Sequence, residues 1–65
     1  MVKQIVYNAD VDDVYDTLEF EFGNMARIFD IYQDGFDVIV DEVPTDASYD
    51  VMETLFDNGF DVDLL

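Results

Sequence analysis

Twice along this chain the apolar residues change their spacing from every second position to every third or fourth and back. Each change is marked by residues that start or stop a helix. Residues 2 to 7, Val-Lys-Gln-Ile-Val-Tyr, form a short β-rich run that ends at Asn8-Ala9-Asp10, a cluster able to cap a helix. Val11, Val14, Tyr15, Leu18 and Phe22 then recur at i, i+3, i+4, i+7 and i+11, one apolar stripe at helical period, and Gly23 supplies a left-handed stop. Residues 25 to 33 are rich in β-branched and aromatic types, and Asp34-Gly35 is a strong hairpin signal before a returning strand over residues 36 to 43. Pro44 closes that strand, and Thr45 or Asp46 can cap a second helix with Ser48, Val51, Met52, Leu55 and Phe56 along one face. Asn58-Gly59 ends it. The tail Phe60-Asp61-Val62-Asp63-Leu64 alternates strictly, as a strand with one buried face does.

The order is β-α-β-β-α-β, which predicts an α+β fold of the ferredoxin-like kind: a four-stranded antiparallel sheet with both helices on one face. A chain of 65 residues allows one domain, residues 1 to 65, because it buries only about 60 % of its unfolded surface. Phe29, Ile31, Phe36, Val38, Val40, Phe60, Val62 and Leu64 are expected to face the helices. Asp30, Asp37, Asp41, Asp61 and Asp63, mixed with Ile28, Tyr32 and Ile39, are expected on the open face.

Onto this frame the chain loads seventeen acidic residues against two basic ones, Lys3 and Arg27, for a net charge of −15. Such self-repulsion destabilises a compact state, and a positively charged partner is the expected reason for keeping it. An apolar content of 51 % argues for folding rather than the disorder that high charge brings elsewhere. In the second helix Asp46, Asp50, Glu53 and Asp57 fall at i, i+4, i+7 and i+11, an outward stripe of carboxylates about 16 Å long. One charge per ~5 Å approaches the ~3.4 Å phosphate spacing of one DNA strand. Asp12, Asp16 and Glu19 repeat the device on the first helix, flanked by Asp13 and Glu21. Helices normally relieve such faces with Lys or Arg at i+4, and neither helix has a basic residue. The helix dipole favours Asp12, Asp13 and Asp46 near helix starts; Asp57, at a helix end, lacks that excuse.

Other classes fit less well. Asp10-Val11-Asp12-Asp13 and the segment Asp57 to Asp63 contain D-x-D fragments, but neither has the glycine and closing glutamate of a calcium loop, so no metal ligand is assigned. With no His, no Cys, no phosphate-cradling glycine loop and no basic pair for an oxyanion, the chain reads as a non-enzyme without a cofactor. Direct nucleic-acid binding is opposed by the sign of the field. No run of about 20 apolar residues or signal-like N-terminus is present, so a soluble, intracellular protein is expected.

In size, charge and carboxylate placement the chain resembles the small, very acidic DNA-mimic inhibitors that phages and other mobile elements direct against CRISPR effectors, restriction enzymes or uracil-DNA glycosylase. The resemblance implies a partner with a basic nucleic-acid-binding groove, in the cytoplasm of a host cell. From the residues themselves, the partner-binding candidates are Asp12, Asp16, Glu19, Asp46, Asp50, Glu53 and Asp57 on the helices, joined by Asp30, Asp37 and Asp41 around Tyr32 on the sheet. Two alternatives remain open: an acidic interaction or assembly module that pairs through its open sheet face or an edge strand into a homodimer, and a halophilic domain whose charge is a solvation device.

Overall fold

The computed structural model describes all 65 residues, in the order β1 (Val2–Tyr7), α1 (Val11–Phe22), β2 (Asp30–Asp34), β3 (Asp37–Val43), α2 (Ser48–Asp57) and β4 (Asp61–Leu64). The strands form one antiparallel sheet in the order β2-β3-β1-β4, so β1 and β3 are central and β2 and β4 are edges. No helix is long and apolar enough to cross a membrane.

The helices start and stop where side chains satisfy backbone groups. Asp10 adopts an extended conformation and its carboxylate accepts the Asp12 N–H at 2.8 Å, while Gly23, at φ 60°, returns its N–H to the Glu19 carbonyl. Val14 and Leu18 of α1 and Val51 and Leu55 of α2 are fully buried in one cluster with Val6, Val38, Val40 and Val43 of the sheet. Both helices therefore share a single core with the same rows of strand residues. At about 1.5–3 kcal/mol per buried aliphatic side chain, this cluster is what outweighs the charge repulsion. Gln4 is the one buried polar side chain: its Nε2 donates to the Ser48 carbonyl at 3.0 Å and to Ser48 Oγ at 3.3 Å, tying β1 to the first residue of α2. Its Oε1 has no partner.

Several expectations are corrected. The strand placed over residues 25 to 33 begins only at Asp30, because Gly23–Ile28 is a 3₁₀ segment. The reason is spacing: Phe22, Ala26 and Phe29 fall four and three apart, which buries Ala26 and Phe29 under α1 and sets the Phe22 and Phe29 rings edge to face at 6.3 Å. The hairpin pivots on Gly35-Phe36 rather than Asp34-Gly35, since Asp34 pairs with Asp37. Gly35 takes the positive φ of 64° that this two-residue turn needs at its first central position. Phe36 is thereby placed in the turn, 85 % exposed, instead of in the core. Asp46 lies on a short 3₁₀ turn, Thr45–Ala47, and α2 begins after it with no side-chain cap. Phe56 and Leu64, expected inside, are exposed. Ile39 lies on the open face as expected, opposite Tyr32 and Ile5, yet is only 4 % exposed. Leu64 is the last residue of the edge strand β4.

β3 carries a bulge that no residue pattern in the sequence signals. Val2 pairs with Val43 and Gln4 with Val40, so β3 carries one residue more than β1 across this interval. Glu42 absorbs it at φ 59°, and its N–H is taken by the Asp41 carboxylate at 2.7 Å. The extra residue shifts the alternation and turns Val43 into the core, where it is fully buried.

Candidate functional site

The carboxylates fall on two opposite faces. On the helical side Asp12, Asp13 and Asp16 of α1 and Asp50, Glu53 and Asp57 of α2 are exposed, and Asp46 is exposed on the turn before α2. Glu19 is different: it is half-buried, and its carboxylate lies 3.9 Å from the Arg27 guanidinium and 3.4 Å from the Tyr15 hydroxyl, which donates to it. Part of its charge is already used within the molecule.

The uncovered face of the sheet holds the other set. Cross-strand register puts Tyr32 opposite Ile39, Ile39 opposite Ile5 and Ile5 opposite Asp63, one row running across all four strands. Asp30 opposite Asp41, Asp34 opposite Asp37, and Tyr7 opposite Asp61 flank that row. Six aspartates thus surround an aromatic and aliphatic centre. Lys3 answers one of them, Asp41, at 3.6 Å. Asp37 also accepts the Asn8 N–H at 2.9 Å. Both basic side chains of the molecule are engaged in these ion pairs, so every other charged side chain on the surface is negative.

The structure therefore gathers Asp12 and Asp16 with Asp50, Glu53 and Asp57 on the helical layer. It sets Asp30, Tyr32, Asp37 and Asp41 together on the far side of the sheet. No three carboxylates converge closely enough to hold a metal ion. Tyr49, at the start of α2, is perturbed by this field: the neighbouring Glu53 carboxylate raises its pKa above the usual 10, with smaller contributions from burial, Asp50 and Asp57.

Two features escaped the sequence. The first is a set of rings left in water, Phe20 at 91 %, Tyr49 at 73 % and Phe56 at 71 % exposure. The signal was present for two of them, since Tyr49, Met52 and Phe56 share a helical face offset from that of Val51 and Leu55. The second is Gln33, whose Nε2 donates to the carbonyls of Ala9 (2.9 Å), Gly35 (3.1 Å) and Asp37 (2.9 Å) while its Oε1 accepts the Val11 N–H (2.9 Å). It fastens the hairpin turn to the start of α1 and so fixes the helical stripe relative to the sheet. No family model, curated protein or solved structure matches the chain.

Proposed function

We propose that this protein is a DNA-mimic inhibitor that occupies the basic nucleic-acid-binding surface of another protein, in the cytoplasm of the cell where that protein works. The observation that carries the reading is charge density. Fifteen net negative charges on a body whose longest axis is 26 Å give one per about 1.7 Å, the axial charge density of duplex DNA. A basic groove shaped for phosphates meets a comparable density of negative charge here. Such complementarity accelerates encounter and makes affinity fall with salt.

The frame is assigned to the ferredoxin-like arrangement. What supports this is the order β2-β3-β1-β4, in which each helix joins two strands separated by one strand of the other half. The helical layer then forms a continuous outward surface, and its carboxylates Asp12, Asp16, Asp50, Glu53 and Asp57 are the residues we assign to the partner.

The test is capture from a lysate on immobilised protein at low salt, followed by elution with excess duplex DNA. A nucleic-acid-binding protein that is released by duplex and not retained by Asp50→Lys/Glu53→Lys is the expected result. Captured proteins that duplex does not displace refute mimicry.

A further inference from the structure

Along the outer edge of α2, Tyr49, Met52 and Phe56 combine with Val62 of β4 to line an open groove of about 440 Å³, whose remaining walls are Glu53 and Asp57. Two of its rings are more than 70 % exposed. Charge already supplies solubility, and a pure phosphate mimic has no use for hydrocarbon left in water. Exposed rings rimmed by polar groups mark contact surface. A second copy of the chain is a poor occupant, because a two-fold pairing brings Glu53 and Asp57 against the same carboxylates. A cation is a good one. It sits over the negative face of a ring while the adjacent carboxylate takes its charge. Between the two natural cations the groove favours guanidinium, which is planar, weakly hydrated, stacks on rings and donates in pairs to a carboxylate, whereas an ammonium holds its water tightly.

We infer that the groove of Tyr49, Met52, Phe56 and Val62 is an anchor for arginine side chains on a basic segment of the partner protein. The inference rests on the proposed function, and it names where a component of binding that salt does not remove resides. The probes are labelled nona-arginine and nona-lysine peptides, titrated by fluorescence anisotropy at about 0.1 M and 0.3 M NaCl, where screening differs by nearly twofold in length. Nona-arginine is expected to bind about tenfold more tightly than nona-lysine at both salts. Tyr49→Ser/Phe56→Ser should erase that ratio while leaving nona-lysine affinity and its salt slope unchanged. Phe20→Ser, at an exposed ring outside the groove, should preserve it. Should the serine variant lose its circular dichroism signature, Tyr49→Leu/Phe56→Leu keeps the apolar bulk without the rings and must still lose the ratio. Equal affinity for the two peptides, no binding of nona-arginine, or a ratio that survives both variants overturns the inference. So does a dimer in sedimentation that the groove variant dissociates, since a second copy is then the occupant. Mimicry fails on a separate reading, the inability of duplex DNA to displace the captured partner, whatever the peptide ratio.

Discussion

Replacing Asp30 and Asp34 by lysine should make the protein more stable. In the β2–β3 hairpin Asp30 stands directly opposite Asp41 and Asp34 opposite Asp37, two like-charge pairs on one ladder. A pair of opposed like charges costs, and a pair of opposite charges contributes, roughly 0.2–1 kcal/mol. Each replacement therefore swings about 0.4–2 kcal/mol. The sites are four residues, about 13 Å, apart, so their effects add. Two contacts lower the sum. Asp41 is already answered by Lys3 at 3.6 Å, and Asp37 takes the Asn8 N–H. A net gain of about 1 kcal/mol is the working value. With about 2.1 cal/mol/K of unfolding entropy per residue, a 65-residue chain changes its Tm by about 7 °C for that amount. The assay is thermal unfolding by circular dichroism at ~10 mM ionic strength and again at 1 M NaCl, where the Debye length shrinks to about 3 Å. Asp30→Asn/Asp34→Asn should give about half the gain. A Tm that stays level or falls at low salt refutes the reasoning, as does a gain that persists undiminished at 1 M, because the cause is then not charge.

Four further outcomes follow from named contacts. Gln33→Glu turns an amide nitrogen that serves three carbonyls into a carboxylate oxygen facing them, and should cost about 2 kcal/mol in urea unfolding through the lost hydrogen bonds; an unchanged midpoint would mean the turn is held by other contacts. Glu42→Gly should raise Tm relative to Glu42→Ala by several degrees, since only glycine relieves about 1 kcal/mol of left-handed strain at φ 59° while both remove the same charge. Leu55→Ala should unfold most of the population at 37 °C, because ~2–5 kcal/mol lost from a fully buried site rivals the 3–10 kcal/mol that a domain of this length has in total, readable by chemical-shift dispersion. In a spectrophotometric titration the Tyr49 phenolate should form at lower pH in Glu53→Gln than in the native chain. Tyr49 holds its proton more tightly folded than unfolded, so its contribution to stability is intact below pH 10 and fades as pH rises through the raised value.

What the sequence disclosed depended on how local the cause was. The stripe Val11, Val14, Leu18 and the capping Asp10 lie within a few residues of each other, and α1 occupies the span they mark. Asp61 and Asp63 alternate with Val62, and β4 follows that alternation. Sequence and structure part where distant residues decide between two local options. Residues 25 to 29 had the β-branched and aromatic content of a strand, but burying Ala26 and Phe29 beneath α1 required a helical step. The hairpin could turn on Asp34-Gly35 or Gly35-Phe36, and pairing of Val38 with Gln33 and of Val40 with Ile31 selected the latter. Glu42 gives no sign of left-handed backbone, because the bulge answers the need to bring Val43 inward against Val2. For the site, composition and spacing located the helical carboxylates, while the division of the acids between two faces and the ion pairs that engage Lys3 and Arg27 depend on which strands are neighbours.

The antiparallel pairing of β1 with β4 has a topological consequence. Gln4 lies opposite Leu64, and the Leu65 N–H donates to the Lys3 carbonyl at 2.9 Å, so the first and last residues of the described chain emerge side by side at the same end of the sheet. A few glycines suffice to join them into a ring without moving a strand. Closure would remove configurational freedom from the unfolded chain and leave every carboxylate where it stands. A circular form, opened instead at the exposed Gly35-Phe36 turn, would carry the same surface on a reordered polypeptide.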